Sequence, residues 1–397
     1  MQFQFRTASQ VLFGRGEHKK VATLVKNLGK RVFLVTGGAS LARRGLLSPV
    51  TQSLGELCEH VEHATVSGEP EVGAIDELLR QCKDAGCDVV LAIGGGSVLD
   101  AGKAVAALSN NAGAAVDFLE DAGQGPPKPI AHPSLPMIAV PTTAGSGSEV
   151  TRNSVLKVKD LRVKRSLRSD FLLPRVAIVD PDLSESAPRH VAAAAGMDAL
   201  THLVEGYLSK HAQPMTDALA LSGMRLLWNG LHTLAQAFST AESPDHAAVS
   251  SATHEQVALA SLWGGMVLAN AGLGAVHGLV APLGGLCEVA HGDGCACLLP
   301  ATFAQNAKAL QKRAPDHPAT ARFFELCRFF TDGKDDMEQA TERLSSLRKR
   351  LGIAGLRAAG VSEGQFVQIV RQSRGGSMRS NPIELTDEEL FEILRSS

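Results

Sequence analysis

Short apolar runs that alternate with helix-like segments dominate the first half of this 397-residue chain. Runs of this kind, separated by amphipathic stretches, are typical of βα units and of a parallel sheet that is buried on both faces. The segment 71–86 shows the intervening helical pattern, because its apolar residues recur three and four positions apart. The predicted strands are RVFLVTGG (31–38), DVVLAIGGGS (88–97), LPMIAVPTT (135–143) and RVAIVDPDL (175–183).

The strand-like runs stop near residue 184, and the segments that follow have the period of helices. The clearest of these segments are 215–238 and 337–353. A chain of this length is expected to form about two domains. We therefore predict an α/β, Rossmann-like dinucleotide-binding domain over residues 1–185 and an all-helical domain over residues 186–397.

The composition argues against several classes of function. A formal charge of −2 and an aromatic share of 4% do not favour a nucleic-acid partner. The seven cysteines are odd in number and include no CxxC pair, so a disulfide framework is not expected and a reducing, cytoplasmic location is. The N-terminal residues lack the basic and apolar regions of a signal peptide.

One uncharged segment raises the question of a membrane span. Residues 256–287 contain no Lys, Arg, Asp or Glu over 32 positions, which is long enough to cross a bilayer. Glycines, Asn270, His277 and Pro282 interrupt the segment. We therefore predict a buried helix, a glycine-rich break and the start of another helix, and no membrane partner.

Two loops with small residues follow predicted strands. Residues 93–100 (IGGGSVLD) open a helix, and residues 141–149 (PTTAGSGSE) follow the next strand. Glycine allows backbone N–H groups to approach a phosphate, and a helix N-terminus favours negative charge. Ligands of open parallel sheets bind at the carboxyl ends of the strands, so two such loops favour a dinucleotide over a turn without a ligand.

Four residues of the second half form a candidate metal site. Asp198 and His202 are four positions apart, which places both side chains on one face of a helix. The motif alone is weak, but its apolar neighbours indicate burial, and a buried carboxylate needs a partner or a metal. His277 and His291 lie in another apolar segment. Together these nitrogen and oxygen donors suit a divalent transition metal, with Fe²⁺ and Zn²⁺ both acceptable.

The combined motifs resemble those of the iron-dependent, or group III, alcohol dehydrogenases, which are related to glycerol dehydrogenase and dehydroquinate synthase. The resemblance covers nearly the whole chain and implies a dehydroquinate synthase-like fold, a metal held by Asp198, His202, His277 and His291, and a homodimer or higher homo-oligomer. It implies hydride transfer between NAD or NADP and a small primary alcohol or aldehyde. The motifs are GGGSVLDAGK, PTTAGSGSEVT, GMDALTHLVEGYLS, GAVHGLVAPLGG followed by HG, and NPIELTDEEL.

The resemblance also implies roles for individual residues. Gly95, Gly96 and Ser97 would contact the pyrophosphate, with Asp100 in the same turn. Thr142 and Thr143 would lie beside the adenosine, and Ser148 and Val150 beside the nicotinamide. Lys164 would be the cofactor-contacting lysine, and Asn153 would line the substrate end of the pocket.

The chain departs from the family pattern at two places. Gly37 stands where relatives often carry an acid that binds the adenosine ribose, and backbone N–H groups of the small turn that includes Gly38 could accommodate a 2′-phosphate, which leaves NADP open beside NAD. Ala281 stands where many relatives have a second histidine near the substrate. We expect a roomier, more apolar substrate site and a flatter pH–rate profile as a result.

Three other functions compete with this prediction. One is a reductase of an unsaturated keto acid similar to maleylacetate reductase, another is a lyase similar to dehydroquinate synthase, and the third is a relative that only binds nucleotide. The retained ligand set favours the metal-dependent dehydrogenase. A basic cluster could receive an acidic substrate or a cofactor phosphate, although a solvated strand and turn is the preferred interpretation. Its members are Arg152, Arg162, Lys164, Arg165 and Arg168.

Overall fold

A computed structural model describes residues 2–38, 40–122, 125–240 and 249–397 of the chain. The chain divides into two compact units. The first unit is Arg6–Ala187, and the second is Pro188–Ser397 together with residues 2–5. Each unit has its own type of secondary structure, and both types follow from the apolar patterns of the sequence.

A six-stranded parallel sheet forms the centre of the first unit, with the strand order β1-β8-β5-β4-β2-β3. The remaining two strands, β6 and β7, pair as an antiparallel hairpin. All four predicted strands occur, at β2, β4, β5 and β8. The strands are β1 (Gln10–Phe13), β2 (Arg31–Gly37), β3 (His60–Val66), β4 (Val89–Gly94), β5 (Met137–Pro141), β6 (Asn153–Val158), β7 (Val163–Arg168) and β8 (Val176–Val179).

Helices cover both faces of this sheet. In β2 the alternate residues Phe33 and Val35 pack in the core that includes the fourth and fifth helices, whereas Val32 and Leu34 pack in the core that includes the first and third. A strand buried on both faces has to be apolar at successive positions, which is the pattern of the sequence. The helices are α1 (Val21–Lys26), α2 (Ser40–Arg43), α3 (Leu47–Leu57), α4 (Val72–Asp84), α5 (Gly96–Leu108) and α6 (Pro181–Ser184).

The strand order changes direction at β2, which has β3 on one side and β4 on the other. Both turns that carry predicted cofactor glycines lie at this point, because Gly37 ends β2 and Gly94 ends β4. The crevice beyond the carboxyl ends of strands at such a reversal is the usual ligand site of open α/β sheets. The topology therefore positions the β2–α2 and β4–α5 turns for nucleotide binding.

The second unit is built of helices, and no strand occurs within its described residues, 188–240 and 249–397. The fold prediction of an α/β unit followed by an all-α unit is thus confirmed. The helices are α7 (Arg189–Leu208), α8 (Pro214–Thr240), α9 (Ser251–Ala271), α10 (Ala275–Leu286), α11 (His291–Arg313), α12 (Pro318–Phe330), α13 (Met337–Arg350), α14 (Phe366–Ser373) and α15 (Asp387–Ser396).

The uncharged segment 256–287 falls on α9 and α10. Among the described residues no single helix is both long enough and apolar enough to cross a membrane. Within the same described residues, one pair of helices, α9 and α10, passes the length and hydropathy criteria together, and the pair is bent by 100°.

Candidate cofactor loops and metal centre

The β4–α5 turn and the loop after β5 are in close contact. Gly95 caps the N-terminus of α5 and Gly96 is its first residue. A Cβ atom on Gly96 would lie 2.9 Å from the Cβ of Ser146, so only glycine allows the two loops to approach this closely. The first turn of a helix leaves backbone N–H groups without helical partners, and such groups bind phosphate. The geometry thus favours the predicted pyrophosphate site at Gly95, Gly96 and Ser97.

Asp100 fixes the loop that carries the predicted nicotinamide residues. Its Oδ1 accepts a hydrogen bond from the Ser148 hydroxyl at 2.5 Å, and its Oδ2 accepts one from the Val155 N–H at 2.9 Å. The buried Lys103 adds bonds to the Ser148 carbonyl at 3.0 Å and to the Thr151 hydroxyl at 2.9 Å. The structure therefore shows Asp100 as a group that positions Ser148, and its predicted contact with the cofactor stays a prediction.

The other predicted nucleotide residues lie on the same loop. Thr142 donates its backbone N–H to the Gly94 carbonyl at 2.9 Å, and Thr143 lies beside Gly95. Both threonines are half-buried, whereas Val150 is fully buried. Their proximity to the β4–α5 turn agrees with a shared ligand, and their individual contacts with adenosine and nicotinamide stay predictions.

The hairpin carries the remaining predicted cofactor and substrate residues. Lys164, on β7, is buried and donates to the Glu69 carboxylate. Asn153 begins β6, and its backbone carbonyl accepts a hydrogen bond from Lys103. Both residues therefore have protein partners in this structure, and their predicted roles remain untested.

The basic cluster around the hairpin pairs with neighbouring acidic and carbonyl groups. Arg152 lies 3.0 Å from Asp170, and Arg168 lies 3.1 Å from Glu120. Arg165 donates to a backbone carbonyl at 2.9 Å. These partners and the exposure of Arg162 and Arg168 agree with a solvated strand and turn, whereas the buried Lys164 does not fit that interpretation.

The turn after β2 is open at the predicted ribose site. Gly38 is exposed, and a Cβ atom there would lie 3.7 Å from the Ser67 hydroxyl. A Cβ atom on Gly37 would lie 3.4 Å from Val98, so this position also borders the β4–α5 turn. Ala39, which belongs to the predicted turn, lies outside the described residues.

Three helices of the second unit bring the four predicted metal ligands together. Asp198 and His202 lie on α7, His277 on α10, and His291 on α11. The Nε2 atom of His277 lies 3.2 Å from Asp198 Oδ1, and the Nε2 atoms of His202 and His291 each lie 3.5 Å from the same oxygen. The His202 and His277 rings stack with centroids 4.8 Å apart. The carboxylate thus forms the centre of a three-histidine cluster.

Glu205 orients His277 within this cluster. Its Oε2 lies 2.7 Å from His277 Nδ1, and its Oε1 accepts the Val276 N–H at 2.7 Å. A histidine that donates from Nδ1 to a carboxylate keeps Nε2 for a metal, and such pairs are common around metal ligands. Glu205 lies seven positions after Asp198 on the same helix, so the i, i+4, i+7 pattern of Asp198, His202 and Glu205 was a signal that the sequence analysis missed.

Close packing of α7 against α11 sets the distance between their ligands. A Cβ atom on Gly292 would lie 2.5 Å from the Ala194 carbonyl oxygen, which no side chain tolerates. Gly292 directly follows His291 and Ala194 precedes Asp198 by one helical turn. The glycine therefore allows the two ligand-bearing segments to meet.

The neighbouring groups of the cluster together shift the pKa values of Asp198 and His277 more than burial does. Burial alone raises the pKa of Asp198, but His202, His291 and His277 outweigh burial and hold that pKa well below its usual range. Burial lowers the pKa of His277, but Cys295, Asp198 and Glu205 outweigh it and hold that pKa well above its usual range. The site therefore keeps a carboxylate ionised in a buried position and favours positive charge beside it.

Cys295 is a further member of the cluster to which the sequence analysis assigned no role. It lies four positions after His291 on α11, and burial raises the pKa of its thiol to about 12. The thiol donates to Asp198 Oδ1 at 3.2 Å. The most accessible ligand is His291, of whose side chain 44% is exposed. Solvent thus reaches the cluster from the His291 side.

Ala281 lies on α10 one turn after His277 and is half-buried. A histidine at this position would lie on the same helix face as His277. The methyl group of alanine offers neither a hydrogen bond nor a titratable proton. The expected effect on substrate range and pH dependence stays a prediction.

A parallel-sheet unit with glycine turns at its strand reversal and a helical unit with a buried Asp and His cluster are the features expected of a metal-dependent oxidoreductase. Comparison with known proteins supports this class. A family profile described as iron-containing alcohol dehydrogenase matches residues 8–181, and one for the C-terminal part of the Fe-containing alcohol dehydrogenase family matches residues 192–397.

The chain belongs to the iron-containing alcohol dehydrogenase family. It is 32% identical to 1,3-propanediol dehydrogenase of Citrobacter freundii, over 100% of this chain and 98% of that protein. It is 36% identical to long-chain-alcohol dehydrogenase 1 of Geobacillus thermodenitrificans, over 76% of this chain and 73% of that protein. A crystal structure of sulfoacetaldehyde reductase from Bifidobacterium kashiwanohense in complex with NAD⁺ matches with a TM-score of 0.82 and 27% identity, over 100% of this chain and 98% of that one. The family predicted from the sequence is thus confirmed, and the chain is an enzyme.

Proposed function

We propose that the protein is a dehydrogenase and reductase that interconverts small primary alcohols and aldehydes, with a divalent metal at the Asp198 cluster and a nicotinamide dinucleotide as hydride carrier. The observation that carries the proposal is the convergence of three imidazoles on one buried carboxylate oxygen, at 3.2 to 3.5 Å. The relative named for 1,3-propanediol supports the substrate class.

The distances from Asp198 Oδ1 to the three imidazoles are those expected around one divalent cation. Ligands bound to a transition metal at about 2.0–2.2 Å lie about 3.3–3.6 Å apart in a tetrahedral arrangement. The measured separations of 3.2 to 3.5 Å from Asp198 Oδ1 are close to this range. Asp198 and Glu205 raise the pKa of His277 and so favour its protonated form. A bound cation would take the place of that proton as the balancing positive charge. Asp198, His202, His277 and His291 would therefore hold the metal.

The protein's own residues orient and shield the reaction. A metal held by this cluster supplies Lewis acidity, which polarises an aldehyde carbonyl or lowers the pKa of an alcohol. Glu205 keeps His277 in the tautomer that presents Nε2, and Asp198 fixes three imidazoles around one point. Asp198, His202 and His277 are buried, which limits their contact with bulk water, while the exposed side of His291 gives protons a route to solvent.

The nicotinamide cofactor accepts or supplies the hydride, and the first unit would bind it at the β2–α2 and β4–α5 turns. The solved relative that contains NAD⁺ supports NAD as a cofactor. Because Gly37 and Gly38 offer no carboxylate to repel a 2′-phosphate, we also propose that NADP is accepted. An NAD preference above about a hundredfold in kcat/KM, or about 2.7 kcal/mol, would contradict this second proposal.

The metal, the assembly and the location complete the proposal. Fe²⁺ and Zn²⁺ both suit one carboxylate and three imidazoles, so availability decides between them. We propose a homodimer or higher homo-oligomer, to be tested by light scattering during gel filtration. All seven cysteines are free thiols, which supports a reducing, cytoplasmic location.

The experiment begins with metal analysis of anaerobically purified protein. Metal-free protein is then reloaded with Fe²⁺ or Zn²⁺, and oxidation of NADH and NADPH is screened over short aldehydes and aldehyde acids. We expect activity to require the metal and to fall at least about a hundredfold in Asp198→Ala. The control is Asp316→Ala, an exposed position outside the cluster. Activity that survives both chelation and Asp198→Ala would refute the proposed function.

The aldehyde acids in this screen also test the main rival. A keto-acid reductase would depend on basic groups that receive a carboxylate. The acidic and carbonyl partners found for Arg152, Arg165 and Arg168 do not favour such a role. A marked preference for aldehyde acids over simple aldehydes would support that rival.

A further inference from the structure

The metal cluster contains a sulfur donor in addition to its carboxylate and imidazoles. Cys295 lies on α11 one helical turn after His291, so both side chains lie on the same face of that helix. Its exposed fraction is 0%, although His291 on the same face is accessible. The helix thus presents an outer imidazole and an inner thiol to the same cluster.

The distances from this sulfur match those between ligands of one cation. Cys295 Sγ lies 3.2 Å from Asp198 Oδ1 and 3.6 Å from His277 Nε2. Donor atoms of Asp198, His277, His291 and Cys295 all lie within 4.8 Å of one another. Metal bonds of about 2.0 Å to oxygen or nitrogen and about 2.3 Å to sulfur place a sulfur about 3.5 Å from its fellow ligands.

The neighbouring Cys297 has partners outside the metal cluster, so contact with the cluster depends on the position of Cys295. Cys297 lies two residues further along α11 and is also buried. Its thiol donates to the Ala354 carbonyl at 2.9 Å, and Arg348 contacts the same sulfur. A shift of two residues on a helix turns the side chain by about 200°, which accounts for the different surroundings. Cys297 therefore provides a matched control within the same helix.

We propose that Cys295 is a thiolate ligand of the metal bound at the Asp198 cluster. On binding, the Sγ–H bond breaks, the proton passes to solvent, and a sulfur lone pair forms the bond to the cation. No electron is transferred. The inference rests on the proposed metal site and adds a fifth donor to Asp198, His202, His277 and His291.

A thiolate changes which metals the site prefers. Soft sulfur ligands select Zn²⁺ and other transition metals over Mg²⁺, Ca²⁺ and Mn²⁺, which prefer oxygen. We therefore expect Cys295→Ser to lower the affinity for Zn²⁺ and Co²⁺ at least about tenfold. The affinity for Mn²⁺ is expected to change much less, so the Zn²⁺ to Mn²⁺ ratio separates loss of a sulfur ligand from general damage to the site.

The test is the absorption spectrum of the full-length protein with Co²⁺ in place of its metal. A sulfur-to-cobalt charge-transfer band appears in the near ultraviolet only if sulfur is bound, whereas the visible ligand-field bands report any Co²⁺ site. We expect the charge-transfer band in wild type and in Cys297→Ser, and its loss in Cys295→Ser with the ligand-field bands retained. X-ray absorption of the wild-type zinc protein should show one sulfur at about 2.3 Å and needs no variant.

The outcomes separate this inference from the proposed function. Ligand-field bands without a charge-transfer band in wild type, together with no zinc–sulfur distance, would overturn the role of Cys295 and leave the metal site intact. A charge-transfer band that persists in Cys295→Ser would overturn it as well, since the sulfur would come from elsewhere. Wild-type protein that binds no Co²⁺, Zn²⁺ or Fe²⁺ would overturn both.

Discussion

Replacement of Glu205 by glutamine should weaken metal binding although no proposed metal ligand is changed. The carboxylate accepts two hydrogen bonds of 2.7 Å, from Val276 N–H and from His277 Nδ1. Glutamine has one acceptor oxygen and one donor NH₂ group, so it satisfies only one of these two donors. If the oxygen keeps Val276, the NH₂ group faces Nδ1 and favours the His277 tautomer with the proton on Nε2, the nitrogen that would bind the metal.

The size of the effect follows from these two alternatives. In the first orientation, the proton on Nε2 of His277 must move before the metal can bind. In the second, the buried Val276 N–H has no acceptor, which costs about 1–3 kcal/mol. Loss of such an orienting carboxylate typically lowers metal affinity about 10- to 100-fold, or about 1.4–2.7 kcal/mol. We expect Glu205→Gln to fall in this range.

Competition for Zn²⁺ against a chromophoric chelator measures this affinity directly. The matched control is Glu325→Gln, because Glu325 also accepts a hydrogen bond in the helical unit, from the Tyr207 hydroxyl, but lies outside the cluster. Activity at saturating metal should recover more than activity at limiting metal, which separates weaker binding from altered chemistry. A Glu205→Gln protein that folds normally and binds Zn²⁺ within about twofold of wild type would refute the reasoning.

Three further substitutions test the packing, the substrate pocket and the buried charge of the first unit. Gly292→Ala should destabilise the protein by about 1–3 kcal/mol in chemical denaturation and weaken metal binding, because its Cβ would lie 2.5 Å from a carbonyl oxygen of α7. The control Gly73→Ala should change neither stability nor metal binding, because its Cβ would meet no neighbouring residue within 4 Å. Ala281→His should narrow the range of aldehydes reduced and add an ionisation to the pH–rate profile; an unchanged range and profile would contradict the expected role of Ala281. Burial raises the pKa of Glu149 from 4.5 to about 7, so its folding contribution is favourable below about pH 4.5 and is lost as the pH rises through 7. Glu149→Gln should therefore be more stable than wild type by up to about 3 kcal/mol at about pH 8.5 and nearly equal at about pH 4; equal stability at both pH values would contradict this pKa.

The strands of the parallel sheet differ in how readily the sequence predicts them. The central strands β2, β4 and β5 are buried on both faces, so their apolar runs stand out in the sequence. The edge strands β1 and β3 do not, because β1 has only four residues and β3 is mostly half-buried with polar residues among its apolar ones. The backbone groups on one side of an edge strand hydrogen-bond to solvent instead of to another strand. Such a strand is less buried and therefore needs fewer apolar residues.

The metal ligands and the residues that support them also differ in how readily the sequence predicts them. Asp198, His202, His277 and His291 could be predicted because histidine and aspartate in apolar surroundings are costly without a partner. Glu205 and Cys295 are about as deeply buried as Asp198, His202 and His277, but glutamate and cysteine next to a ligand motif have many ordinary explanations. Their roles depend on how α7, α10 and α11 pack, which the periodicity of one helix does not determine.

The charges of the cluster indicate why the supporting residues belong to the site as much as the ligands do. Asp198 and Glu205 are two buried carboxylates seven residues apart on one face of α7, and neither forms an ion pair with Lys or Arg in the described chain. Their balancing charge has to come from protons on the imidazoles or from a cation. A divalent ion balances both carboxylates while it leaves the histidines neutral, as ligation requires. Metal binding should therefore stabilise the packing of α7 against α10 and α11, because it removes the need to keep protonated histidines in a buried site.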